Sequence, residues 1–258
     1  MKFAIIISEQ DEAGRNVRDF LDGNFLKRHS AFVHVIEERP VYAEHIDKKV
    51  EADLFIFATT HRSEKGAPSL CVHSPGNWGV AELGGEDKKL CIAPALYLRE
   101  AFVKLNKLNE KYKLGFDVVQ EVTHHGPCLE KPIMYIEIGS TKREWVNKTA
   151  GKINAEVIHH LVSKEPEKAK TVFGIGGLHT TPNFKKLVLE KGVALGHVCP
   201  KYMLERLDKE LIRQAIEKTF PKNELILLDW KGLKTEKKRI VDMLDELNID
   251  WKKTKDFS

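Results

Sequence analysis

Short runs of uninterrupted apolar residues alternate along this chain with stretches in which apolar positions recur every three or four residues. Phe3 to Ile7, Val33 to Ile36, Leu54 to Ala58, Val118 to Val122, Ile133 to Ile138, Val172 to Ile175, Val193 to Leu195 and Leu225 to Leu228 read as strands. Helical spacing predicts helices over about Glu12 to Phe25, Pro94 to Tyr112, Lys142 to Leu161, Phe184 to Glu190, Leu204 to Lys218 and Glu236 to Leu247. The third helix opens on Thr141-Lys142-Arg143-Glu144, a capping box in which hydroxyl and carboxylate each satisfy a free amide. Between Thr59 and about Lys89 the pattern dissolves into a loop rich in glycine and proline, with a short strand at Leu70 to His73. So long an irregular stretch points to a functional loop.

Strands that are apolar on both faces and separated by helices predict an α/β fold. The expectation is a single domain over residues 1–258, its mixed, mostly parallel sheet covered by helices on both faces. The 258 residues suffice for that, and no Pro-, Ser- or Gly-rich stretch marks a boundary. No apolar run approaches a membrane span, and Met1-Lys2 leads into no signal peptide, so a cytoplasmic protein is expected. Four dispersed cysteines without a CxxC pair read as reduced, buried thiols. The net charge of +4 tolerates a polyanionic partner without requiring one. Three glutamines against abundant Lys and Glu is a bias of thermophilic proteomes.

Histidine placement carries the chemical signal. His29, His34, His45, His159 and His160 sit in ordinary helix or strand contexts. His61, His73, His124, His125, His179 and His197 all fall at or beyond strand ends beside glycine or proline. In open α/β sheets ligands bind outside the carboxyl ends of strands, so these six are expected to meet at one rim. His61 and Glu64 in His61-Arg62-Ser63-Glu64 have a spacing that can grip one zinc ion. In Glu121-Val122-Thr123-His124-His125-Gly126-Pro127, the turn at Gly126-Pro127 frees His125 to re-aim, and the pair suits one metal ligand and one proton carrier. Gly174-Ile175-Gly176-Gly177-Leu178-His179 follows a strand and precedes a helix, an arrangement suited to an anion. It is neither a dinucleotide fingerprint nor a P-loop.

Laid side by side, these segments resemble the archaeal and plant type of D-aminoacyl-tRNA deacylase. The resemblance rests on Thr60-His61-Arg62-Ser63-Glu64, Pro68-Ser69-Leu70 with Val72-His73, Gly76-Asn77, Glu121 to Pro127, Gly174 to His179, and Gly196-His197. It implies a phosphorylase/hydrolase-like fold related to peptidyl-tRNA hydrolase, a zinc cofactor, and hydrolysis of the ester between a D-amino acid and the 3′ acceptor end of tRNA. In that light zinc is expected on His61 and Glu64, completed by His124 or His179. Glu121 or His125 would carry the proton. Ser69, His73, Asn77, Gly176, Gly177 and His197 are expected to contact substrate, with the loop from Gly66 to Gly79 enforcing chirality. A monomer is expected. Competing readings are metal-free hydrolysis assisted by the tRNA 2′-hydroxyl, a zinc carboxypeptidase, and a non-catalytic tRNA-binding protein.

Overall fold

The computed structural model describes residues 1–63 and 66–257. In chain order the strands are β1 (Phe3–Ser8), β2 (Ala31–Ile36), β3 (Leu54–Thr60), β4 (Ser69–His73), β5 (Ala93–Pro94), β6 (Asp117–Gln120), β7 (Ile133–Gly139), β8 (Lys170–Ile175), β9 (Val193–Cys199), β10 (Thr219–Phe220), β11 (Leu225–Leu228) and β12 (Trp251–Lys253). The helices are α1 (Glu12–Arg18), α2 (Gly23–Arg28), α3 (Ala95–Lys111), α4 (Lys142–Trp145), α5 (Lys148–Ser163), α6 (Pro182–Glu190), α7 (Lys209–Glu217) and α8 (Lys237–Glu246). The architecture is α/β with mixed, mostly parallel sheets flanked by helices, as the alternation predicts.

One sheet has the order β2-β1-β3-β7-β4-β6, another the order β12-β11-β8-β9, and β10 pairs with β5. The pairs within the four-stranded sheet are all parallel. In the larger sheet β4 runs antiparallel to β7 and parallel to β6. Helix α3 joins the two sheets by packing on β9 as well as on β4 and β6. Its buried stripe of Tyr97, Leu98, Ala101, Phe102, Leu105 and Leu108 lies in one core with Val72, Val118, Leu195 and Val198.

Three expected helices are interrupted, each where a polar side chain starts a new helix. The Asp22 carboxylate accepts the amides of Asn24 and Phe25, ending the first helix early. The Asn147 side chain accepts the Ala150 amide and splits the Lys142–Leu161 stretch, while the capping box at Thr141 forms as read. Asp208 accepts the Leu211 amide, so the region from Lys201 to Arg206 is 3-10 helix and α7 begins later. Each cap satisfies an amide that the helix cannot.

Side-chain alternation gives the large sheet two unlike faces. Leu54, Ile56, Ala58, Leu70, Val72, Met134, Ile136 and Ile138 face the main core, which includes α3 and α5. On the other face Phe55, Phe57, Ile133 and Tyr135 form a second apolar cluster. The strand ends on that same face carry Thr59, Glu137, Cys71 and His73, with Glu137 in register with both Thr59 and Cys71. Polar chemistry thus begins where the second cluster stops. Among the described residues no helix is long and apolar enough to cross a membrane.

Candidate active site

His61, which follows β3, places Nδ1 3.2 Å from a Glu121 oxygen and 3.5 Å from a Glu137 oxygen. On the other side of Glu121, His179 Nε2 lies 3.2 Å from the second oxygen. His73 Nε2 is 3.7 Å from Glu137, whose other partner is the Thr59 hydroxyl, donating at 2.8 Å. The rings of His73, His124 and His125 sit 4.3 to 4.8 Å apart, and His179 adds to the group 4.6 Å from His124. Tyr135 stacks on His73 at 4.8 Å.

Five of the six expected imidazoles therefore meet, but over a face of the sheet and not at its rim. The reason is strand direction. Since β4 and β6 are antiparallel to β7, their carboxyl ends return over the middle of the sheet. His73 thereby registers with Tyr135, and the Glu121 amide donates to the Val72 carbonyl.

The segment after β6 is held between the two sheets. The Val122 amide donates to the His179 carbonyl, the Thr123 amide to the Val198 carbonyl, and the Trp78 indole N–H to the Thr123 carbonyl. His125 adopts φ +48°, the left-handed conformation of a turn. His124 and His125 point Nδ1 at the carbonyls of Val122 and Gly126, at 2.8 and 2.7 Å. A carbonyl can only accept, so in the neutral rings Nδ1 carries the proton and Nε2 keeps its lone pair.

Burial and charge sort the protonation states. Burial, with the neighbouring imidazoles, pushes His124 well below its ordinary range and His125 down to about 4. Burial would lower His61 too, but the carboxylates of Glu121 and Glu137 outweigh it and raise that group to about 10. Burial opposes ionisation of those two acids, and the imidazoles beside each hold it below the usual carboxylate range.

The cluster backs a cavity of about 430 Å³, walled by His61, His124, His125, His179 and Glu137 on one side and by Arg39, Pro40, Val41 and Leu83 on the other, with Gln10, Asp11 and Arg62 also lining it. That volume suits a small ligand or one end of a larger one. Arg62 stacks on Trp145 at 4.8 Å, and the Trp145 indole N–H donates to the His61 carbonyl at 3.0 Å. Tyr202 reaches in from beyond β9, its hydroxyl 2.9 Å from His179 Nδ1.

The residues fit a metal ion. Both ring nitrogens of His73 are buried without a hydrogen-bond partner among the described residues, and the only groups beside the buried Glu121 oxygens there are the imidazoles of His61 and His179. Buried polar atoms are rarely left so. Four overlapping sets of donors lie within 4.8 Å: Glu121, His124 and His179; His73, His124 and His125; His73, Glu121 and Glu137; His61, Cys71 and Glu121. Imidazole, carboxylate and thiolate are zinc donors.

Other expected site residues are employed elsewhere. Glu64 lies outside the described residues. His197 is inside β9 and fully buried; Nδ1 faces the Thr123 hydroxyl at 3.0 Å and Nε2 the Cys91 carbonyl at 3.0 Å, leaving no group for a substrate. Asn77 donates to the carbonyls of Gly84 and Glu86 and braces its own loop. Ser69, buried at the start of β4, takes a hydrogen bond from the Cys71 thiol. The Gly176 amide donates to the Cys199 carbonyl at 2.8 Å, so it is not free for an anion. Gly176 and Gly177 adopt φ near +90° and let the chain pass close to Asp229. His73 belongs to the donor cluster, not to the cavity wall, and Glu121 is likewise buried behind the wall. Sequence reasoning missed Glu137, Tyr135, Asp11 and Tyr202. For Glu137 a signal existed, a single carboxylate inside the apolar run Met134-Tyr135-Ile136-Glu137-Ile138. None marked the others.

A family model described as D-aminoacyl-tRNA deacylase matches residues 48–252. The chain is 35% identical to the D-aminoacyl-tRNA deacylase of Pyrococcus furiosus, over 96% of this chain and 98% of that one. It is 38% identical to the protein of the same name from Thermococcus onnurineus (89% and 87% covered) and 39% to that from Methanosarcina acetivorans (83% and 73%). The crystal structure of a conserved protein of unknown function, AF0625, matches with a TM-score of 0.90 at 28% identity, covering 99% of this chain and 96% of that one.

Proposed function

Because the chain belongs to the D-aminoacyl-tRNA deacylase family, we propose that it hydrolyses the ester between a D-amino acid and the 3′ end of tRNA, releasing the amino acid and the tRNA. The observation that carries the reading is the buried set of imidazoles and carboxylates behind a cavity large enough for an aminoacyl ester. Zinc is the cofactor we assign. His124, His179 and Glu121 would hold it, and zinc so bound supplies Lewis acidity and a more acidic water.

The chain's own groups do the rest. His125 Nε2, on the cavity wall and without a hydrogen-bond partner among the described residues once Nδ1 is committed to Gly126, takes the proton of the attacking water. As the ester C–O bond breaks, the proton passes to the departing ribose oxygen. Glu121, expected from sequence as a proton carrier, is reassigned as a ligand because it lies behind the wall. Arg62, held over Trp145, meets the phosphate of the terminal nucleotide at the cavity mouth. We place the reaction in the cytoplasm, where charged tRNA is found. The Lys- and Glu-rich, glutamine-poor composition supports a thermophilic archaeal source.

The test pairs metal analysis with hydrolysis of D- and L-tyrosyl-tRNA. Wild-type protein should carry zinc and cleave the D-ester selectively. His124→Ala should lose both zinc and turnover, whereas His125→Ala should keep zinc and lose about 100-fold or more in kcat. Full activity after exhaustive chelation would instead favour assistance by the tRNA 2′-hydroxyl. Tight tRNA binding without cleavage would make the protein a binding module.

A further inference from the structure

The β8 and β11 strands are parallel neighbours, with Ile175 in register with Leu228, so the segments that follow them leave the same edge. One leads to His179 and the other to Trp230. The two are locked together. The Asp229 carbonyl oxygen lies 3.1 Å from where a Cβ on Gly176 would stand, and a Cβ on Gly232 would come 2.6 Å from the Gly177 nitrogen. Asn183 also donates to the Asp229 carboxylate at 2.8 Å. A surface that begins at Trp230 is therefore continuous with the loop that carries His179.

That surface is strongly basic. Over the Trp230 ring stand the ammonium groups of Lys253 at 4.4 Å and Lys237 at 5.3 Å, and the Trp251 ring runs parallel to it at 6.3 Å. Lys231, the residue after Trp230, is exposed; Lys252 is exposed too, but strand alternation turns it to the other face of β12. Of the nearby carboxylates, Glu236 pairs with Arg239, Asp242 with Lys238 and Glu246 with Lys209, while exposed Asp245 accepts the Trp251 indole N–H at 3.3 Å and exposed Asp250 precedes Trp251. No salt bridge to Lys231, Lys237, Lys252 or Lys253 forms among the described residues. The α8 helix opens with Lys237-Lys238-Arg239 behind its N-cap Glu236, whose carboxylate is taken by Arg239.

We propose that this surface, centred on Trp230, Lys231, Lys237 and Lys253, docks the phosphate backbone of the tRNA acceptor arm. The proposal rests on the deacylase reading. A tRNA is far larger than the cavity, so the polynucleotide attached to a bound ester must run over the protein, and this lysine surface adjoins the cavity loop. Indole contacts hold Lys237 and Lys253 in place, which lowers the entropy lost on meeting a phosphate. Phosphate contacts of this kind position a nucleic acid without reading its sequence.

The test compares Lys231→Gln/Lys237→Gln/Lys253→Gln with wild type on D-tyrosyl-tRNA and on the minimal substrate 3′-O-D-tyrosyl-adenosine, from 50 to 200 mM salt. The expected result is a KM for the tRNA raised by about tenfold or more, an unchanged kcat, and unchanged hydrolysis of the minimal substrate. The slope of log(kcat/KM) against log[salt] should flatten by about 0.9 for each phosphate that the variant no longer neutralises. Equal losses on both substrates, or an unchanged KM and slope, would overturn the proposal. Lys231→Glu, confined to one exposed residue, gives the same readout should the triple variant fold poorly. If wild type cleaves neither substrate, the deacylase reading falls. Filter retention of uncharged tRNA then decides the surface alone, weaker retention by the variant supporting it and equal retention refuting it.

Discussion

Replacing His197 separates a brace from a substrate contact. Burial lowers this imidazole from 6.5 to about 4, so the folded protein keeps it neutral across a range in which the unfolded chain takes up a proton. Protonation between those values favours unfolding. The associated stability is fully present above pH 6.5 and falls away progressively as the pH drops to about 4. The gap corresponds to about 3 kcal/mol, gained at up to about 1.4 kcal/mol per pH unit. The assay is urea unfolding of wild type and His197→Asn, both stripped of metal, at intervals between pH 4 and 7.5. Asparagine cannot titrate, so the stability difference between the two should shrink by about 3 kcal/mol from pH 7 to pH 4. At neutral pH the variant should be less stable, through imperfect replacement of the bonds to Thr123 and Cys91, while its KM for aminoacyl-tRNA stays within about twofold of wild type. A constant stability difference across the range would refute the reasoning. A large rise in KM without loss of stability would return His197 to the substrate.

Tyr202→Phe removes the hydroxyl that meets His179 Nδ1 and should lower kcat about fivefold with the melting temperature unchanged, the value of one hydrogen bond of about 1 kcal/mol; wild-type kinetics would show that the contact does not orient the ring. Gly126→Ala places a Cβ 2.2 Å from the Gly85 nitrogen and 2.4 Å from the Gly84 carbonyl carbon. Backbone on both sides must shift, so the urea midpoint should fall by the equivalent of about 3 kcal/mol, and a variant as stable as wild type would contradict the packing described.

The strands were legible because burial on both faces leaves an unbroken apolar run, as in Phe3 to Ile7 and Leu225 to Leu228. The short strand read at Leu70 to His73 is β4, whereas β5, β10 and β12 escaped reading, the first two because two residues carry no pattern. The β4 strand interleaves Leu70 and Val72 with Ser69, Cys71 and His73, because one of its faces is the site. The β12 strand, Trp251-Lys252-Lys253, is a charged edge without periodicity. The interrupted helices were marked by Asp22, Asn147 and Asp208, residues at home at a helix start, but apolar spacing on either side masked them. At the site, strand-end positions drew attention to His61, His73, His124, His125 and His179, which the fold brings together. Strand direction is not written in apolar periodicity, so the antiparallel turn of β4 and β6, and with it the move from rim to face, could not be read. Nor could the partners that occupy His197, Asn77 and the Gly176 amide, since Thr123, Gly84 and Cys199 meet them only in three dimensions.

The donors behind the cavity come from β3, β4, the segment after β6, β7 and the loop after β8, and the bonds that seat His124 reach into β9. A nascent chain emerging from the ribosome through β7 holds His61, His73, Glu121 and Glu137 but neither His179 nor the β9 carbonyl that anchors Thr123. The ester cleavage proposed for this site therefore needs the carboxyl-terminal part of the polypeptide, and an incomplete translation product lacks the full set of donors.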